Sequence, residues 1–178
     1  MTQQSTILIG LGANLPSRRF GPPHKTLEAA LVALEGHGVQ VVSRSRWYST
    51  AALPLSDQPR YLNAVVAVET ELSPEKILEL LHAIEHDFGR NRSVANAARG
   101  IDLDLLAYGN VIRTQKSPIL PHPRLAERAF VLRPLCDIDP AWCHPQLGKS
   151  ALELAETVSA GADVQLWDDP DRSDLTLS

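Results

Sequence analysis

Cysteine, aromatic residues and long apolar runs are all scarce in this chain of 178 residues. Cys136 and Cys143 are the only cysteines, and with His144 they fall short of the four ligands of a structural zinc site. They read as two reduced, partly buried thiols. Phe, Trp and Tyr together make up 5% of the residues, which is too few for an exposed aromatic platform that stacks nucleic-acid bases. No apolar run is long enough to span a bilayer. The first six residues, Met1 to Thr6, are polar and uncharged and lead into a short apolar strand, unlike a signal peptide. The expected compartment is the cytoplasm. The formal net charge of −4 excludes a general nucleic-acid coat. The basic residues are clustered, however, which leaves room for a local anion site.

The composition that remains, 44% hydrophobic and 21% charged, is that of an ordinary globular protein with one substantial core. Neither an internal repeat nor a linker divides it, so residues 1–178 are expected to form a single domain. Ile7 to Gly12 reads as a central strand ending in a tight loop. A helix is expected from about His24 to Leu34, with Leu27, Leu31 and Leu34 on one face and Gly36 and Gly38 ending it. Val39 to Trp47 reads as a strand, Ser49 to Arg60 as a loop, and Tyr61 to Thr70 as a second strand that pairs with the one before it. Ser73-Pro74-Glu75 is a helix start: a capping hydroxyl, a first-turn proline and a carboxylate at the positive end of the dipole. Ile77, Leu78, Leu80, Leu81, Ile84 and Phe88 supply its apolar stripe, and Gly89 stops it. Residues 90–99 read as a polar, mobile loop. Helical structure is expected within Leu125 to Leu135 and again from Ala151 to Val158, capped by Ser150, with a terminal strand from Val164 to Trp167. The acidic end, Asp168 to Ser178, is expected to fray. Three or four antiparallel-leaning strands with helices on one face give an α+β, ferredoxin-like sandwich with a C-terminal helical addition.

The segment Arg99 to Leu106 carries the chemistry. It reads as a strand on which Ile101, Leu103 and Leu105 point into a core while Asp102 and Asp104 share the opposite face. Carboxylates so placed are roughly 6–7 Å apart at Cα and can converge on one or two hard cations such as Mg²⁺. A solvated acidic face would explain a bare Asp-x-Asp equally well. Arg90, Arg92 and Arg99 lie just upstream, however, and Pro121-His122-Pro123-Arg124 follows. Cations and anions gathered near one strand suggest a metal–polyphosphate site.

With these motifs in view, the chain resembles the 6-hydroxymethyl-7,8-dihydropterin pyrophosphokinases of the folate pathway. The likeness runs over about residues 7–145. It is carried by Gly12-Ala13-Asn14-Leu15, Trp47 to Thr50, Asp57 to Ala64, Ile84-Glu85, Phe88 to Arg92, Arg99 to Leu106, Leu120 to Arg124 and Arg128 to Leu135. The chain departs from the family pattern at Ala95-Asn96-Ala97-Ala98, where a Trp-Gly-Pro-like run is common, at Ala51-Ala52, which replace a frequent Pro-Pro, and at Pro123, where an aromatic is common.

The resemblance implies transfer of the β,γ-pyrophosphoryl group of ATP to the pterin hydroxymethyl, with release of AMP. It implies two Mg²⁺ ions on Asp102 and Asp104, and Arg90, Arg92 and Arg99 as catalytic cations, the first two on a loop that closes over the substrates. Glu85, Arg92, Arg99, His122 and Arg128 would face ATP. Tyr61 and Phe130 would wall the pterin, Asn63 would read its edge, and Thr50 and Leu53 would add backbone contacts. ATP and the pterin are the implied partners of a monomer, with no nucleic acid and no membrane. His24, His37, His82, His86 and His144 are expected at the surface or at caps. Residues 161–178 lie outside the likeness and are expected to be peripheral. A nucleotidyltransferase could use the same Asp-x-Asp strand but would release pyrophosphate. A ferredoxin-like RNA-binding module would need the aromatics and basic face this chain lacks. A catalytically dead ligand-binding relative would not need Arg99, Asp102, Asp104 and His122 intact.

Overall fold

A computed structural model describes residues 6–52, 57–89, 100–158 and 162–169. The elements are β1 (Ile7–Ala13), α1 (Pro23–Gly36), β2 (Gln40–Arg44), β3 (Tyr48–Thr50), β4 (Tyr61–Glu69), α2 (Pro74–Asp87), β5 (Asp102–Tyr108), α3 (Ala129–Ile138), α4 (Ala151–Val158) and β6 (Val164–Leu166). A short 3₁₀ turn, Leu125–Glu127, precedes α3. The sheet runs β5-β1-β4-β3-β6, with β2 also beside β4, and every pairing is antiparallel. Strand, helix, three strands, helix and strand, with β1 and β4 central, make the expected α+β, ferredoxin-like arrangement.

Three expectations need correction. The sheet has six strands among the described residues rather than three or four. The strand expected over Val39–Trp47 ends at Arg44, and a further strand, β3, begins at Tyr48 and takes in Ser49 and Thr50 from the expected loop. β2 pairs with the Val66–Glu69 half of β4 and β3 with the Tyr61–Asn63 half. Ser45 bridges the break: its amide donates to the Val65 carbonyl (3.0 Å) and its hydroxyl accepts from the Val65 amide (3.0 Å). That leaves no buried main-chain group of Val65 unsatisfied where the strand bends.

The third correction is that helices cover both faces of the sheet. β1 and β4 are apolar on both sides, so each face must be buried. On one face Ile9, Leu11, Val66, Leu103 and Leu105 pack against Leu27 and Leu34 of α1 and Ile77, Leu81 and Ile84 of α2. On the other, Leu8, Val65, Ala67 and Leu106 pack against Val131, Leu132 and Leu135 of α3 and Leu154 of α4. A shift of register, with Leu8 opposite Ala107 and Ile9 opposite Leu105, makes Leu106 the extra residue and puts both Leu106 and Ala107 in the second core, while Tyr108 returns to the first.

α2 begins as expected. The Ser73 hydroxyl accepts from the Lys76 amide (3.3 Å), Pro74 fills the first turn, and Gly89 leaves the helix at φ +86°. Glu75 in that turn takes Arg113 (2.6 Å) and Lys116 (3.2 Å) from the segment after β5. Bonding to Arg113 holds its carboxyl at about 2, far below the ordinary glutamate range. A carboxyl depressed on folding adds stability above its unfolded pKa and loses it as pH falls through the folded one. Glu75→Gln is therefore expected to lower stability at neutral pH and to flatten the acid limb of the stability curve between pH about 4.5 and about 2. Urea unfolding at stepped pH measures both effects.

Candidate active site

Asp102 and Asp104 emerge half-buried on the α3 side of β5, while Ile101, Leu103 and Leu105 are buried on the other. Their neighbours on β1 are glycines: Gly12 lies opposite Asp102 and Gly10 opposite Asp104. Gly12 is also the partner of Asn63 on β4, and Asn63 of Tyr48 on β3. One row across the sheet thus reads Asp102, Gly12, Asn63, Tyr48. The two glycines put no side chain of β1 between the carboxylates and the Asn63 carboxamide, and the Leu106 side chain packs over Gly10.

β5 is an edge strand, and a cleft of about 410 Å³ wraps around it. Glu85, Asp102, Asp104, His122 and Arg128 all line this cleft. They reach it from α2, from β5 and from the segment before α3. The His122 amide donates to the Leu106 carbonyl (2.8 Å), which pins that segment to the strand. Its Nδ1 accepts from the Arg124 amide (3.1 Å), so a neutral ring keeps its proton on Nε2. Burial, with Arg128 and Arg124 nearby, lowers its pKa, and Asp102 offsets this in part. The Arg128 guanidinium lies 3.7 Å from Asp104 and sits over the Phe130 ring at 5.4 Å.

Glu85 is 1% exposed, and its carboxylate accepts from the Leu103 amide at 2.8 Å. Its position is in the cleft wall, as the nucleotide-side expectation requires. This bond ties it to the backbone of the strand that carries the aspartates.

On the far side of the glycine strip, the Asn63 Nδ2 donates to the Thr50 hydroxyl at 2.8 Å. Tyr61 pairs with Thr50 and lies on the same face. Phe130 is in the first turn of α3, partly buried against the second core. The expected sites therefore divide into a carboxylate–cation cleft and an amide–aromatic patch on the same face. Arg90, Arg92, Arg99 and Leu53 lie outside the described residues.

Several lining residues were not anticipated. Leu78 and His82 of α2, and Ser117 to Ile119, complete the cleft. The one-turn spacing of Leu78, His82 and Glu85 was the available signal. Asn14 is buried and ties the end of β1 to Gln58 (3.3 Å) and the Pro59 carbonyl (3.1 Å). Among the histidines, His37 and His86 are exposed as expected. His24 is buried against Trp167 (5.1 Å between rings), and His144 is buried with Nδ1 accepting from the Gln146 and Leu147 amides. Cys136 is half-buried and burial raises its pKa, but Cys143 is exposed, contrary to the expected partial burial.

Residues 8–140 match the family model described as 7,8-dihydro-6-hydroxymethylpterin-pyrophosphokinase (HPPK). The 2-amino-4-hydroxy-6-hydroxymethyldihydropteridine pyrophosphokinase of Synechocystis is 38% identical over 156 residues, which cover 87% of this chain and 77% of that one. The folic acid synthesis protein fol1 of Pneumocystis carinii is 38% identical over 152 residues. There the match covers 85% of this chain but only 20% of the relative, so the chain spans about a fifth of that protein. The crystal structure of Plasmodium falciparum HPPK-DHPS superposes with a TM-score of 0.68 at 13% identity, over 90% of this chain and 46% of that one, which supports the fold alone.

Proposed function

The chain belongs to the 7,8-dihydro-6-hydroxymethylpterin-pyrophosphokinase family, and on that premise we propose that it moves the β,γ-pyrophosphoryl group of ATP onto the hydroxymethyl of 6-hydroxymethyl-7,8-dihydropterin. The observation that carries this reading is the convergence of Glu85, Asp102, Asp104, His122 and Arg128 on one cleft, adjoining Asn63 across the Gly10–Gly12 strip. In the reaction the hydroxymethyl oxygen bonds to the β-phosphorus, the bond from that phosphorus to the α,β-bridging oxygen breaks, AMP leaves and the alcohol proton passes to solvent. Phosphoryl chemistry of this kind needs positioning and charge neutralisation more than covalent help.

Asp102 and Asp104 fit a pair of Mg²⁺ ions: both are hard oxygen donors on one face, with no side chain opposite them on β1. Among the described residues no group of three or more acidic, histidine or cysteine side chains forms a complete cage. Mg²⁺ commonly binds through one or two carboxylates, with waters and substrate phosphate oxygens completing its shell. When bound, the ions would neutralise phosphate charge and make the alcohol a better nucleophile. Arg128 and His122 supply further donors to the phosphates. Arg90, Arg92 and Arg99 are assigned the developing charge on the transferred group. Tyr61 and Phe130 hold the pterin faces, Asn63 reads its edge, and Thr50 and Leu53 contribute backbone groups. The reading takes residues 1–178 as one cytoplasmic, monomeric domain.

The test is incubation with ATP, Mg²⁺ and the pterin. AMP formation that requires the pterin supports the proposal, and pyrophosphate in place of AMP would move the protein to the nucleotidyltransferases. His122→Ala is expected to raise the KM for ATP about tenfold, the equivalent of one lost hydrogen bond to a charged oxygen, and to leave the KM for the pterin within about twofold. Initial-rate kinetics with each substrate varied in turn measures the split.

A further inference from the structure

We infer that Gly12 is a positioning residue for Asn63 and thereby sets which heterocycle the site accepts. The inference rests on the pterin reading above and concerns how the edge-reading amide is aimed. Asn63 is 6% exposed, and its Nδ2 is engaged by Thr50 at 2.8 Å. Among the described residues no group donates to its Oδ1. That oxygen keeps contact with solvent and is available as an acceptor for a ligand N–H.

A methyl group added at Gly12 would lie 3.1 Å from that Oδ1. This is tighter than ordinary van der Waals contact, and the amide cannot swing away without giving up its bond to Thr50. Gly10, one step along the same strand, differs: its added methyl would meet the flexible Leu106 side chain at 3.3 Å. The requirement for a bare Cα toward the amide is therefore particular to Gly12. The glycine also sits between Asn63 and Asp102 in one row of the sheet. A ring whose N–H meets Oδ1 there is aimed along the row toward the carboxylates. The site selects a flat heterocycle with a ring or exocyclic N–H at that edge, and rejects an isostere carrying only acceptors there.

The experiment is direct binding, by titration calorimetry, of 6-hydroxymethyl-7,8-dihydropterin and separately of Mg²⁺ with a non-hydrolysable ATP analogue. Gly12→Ala is expected to weaken the pterin about tenfold to a hundredfold, as for one lost buried hydrogen bond, with ATP-analogue affinity within about twofold. In an Asn63→Ala background the same change should add less than about twofold, since its effect passes through the amide. Thr50→Val, which keeps Gly12 but removes the anchor, should reproduce the pterin-selective loss and decides the matter if Gly12→Ala does not fold. Unchanged pterin affinity in Gly12→Ala, equal weakening of both ligands, or multiplicative losses with Asn63→Ala would overturn the inference while leaving the pyrophosphokinase reading intact. A wild-type protein that binds no pterin would overturn both.

Discussion

Asp102→Asn and Asp104→Asn are each expected to cut pterin-dependent AMP formation about a thousandfold, with the fold unchanged. The magnitude is that of losing one preorganised electrostatic contact to the charge that develops in phosphoryl transfer. The fold should survive because both side chains stand half-exposed, with glycine as the opposing residue on β1. An amide in either place fills the same space and leaves the strand ladder alone. The decisive comparison is a thermal melt beside the AMP assay, run over a wide range of Mg²⁺ concentration. Activity that falls while Tm holds fits the assigned role. Activity within tenfold of wild type in both variants would remove these aspartates from the centre of the mechanism.

Glu85→Ala is expected to damage stability and rate together. Its carboxylate satisfies the amide of Leu103, which lies between the two aspartates on the edge strand. Removing the acceptor leaves a buried donor unsatisfied, at about 1–3 kcal/mol, which for a chain of this size is a fall in Tm of several degrees. The same loss frees the segment of β5 that aims Asp102 and Asp104, so kcat should fall about tenfold or more. Glu85→Gln keeps an oxygen acceptor and should recover most of the stability. Urea denaturation and kcat measured on the same two variants separate these effects. A Glu85→Ala protein as stable as wild type would show that the carboxylate does not hold the strand.

Much of this site was legible in residue order because strand alternation is a local rule. Ile101, Leu103 and Leu105 fall inward and Asp102 and Asp104 outward for the same reason that their side chains alternate. The caps of α2 were legible for a similar reason, since Ser73, Pro74 and Gly89 act on their immediate neighbours. What stayed hidden depends on contacts remote in sequence. The β-branched run through Val41 and Val42 gives no sign that the strand breaks at Ser45, because the device that permits the break is a bond to Val65. His24 looks like a surface residue until Trp167, near the opposite end of the described chain, is brought against it. Glu85 carried a nucleotide-side expectation, but its bond to the Leu103 amide depends on where α2 docks, which no local pattern encodes.

β5 lies at the rim of its sheet, where unpaired main-chain groups would ordinarily be a template for a strand from another molecule. Here a side-chain carboxylate occupies the Leu103 amide, and the backbone of His122 occupies the Leu106 carbonyl. Two negative charges project beside them. The groups assigned to the proposed reaction also deny the rim to intermolecular pairing, so a chain stripped of them is expected to gain a tendency to polymerise.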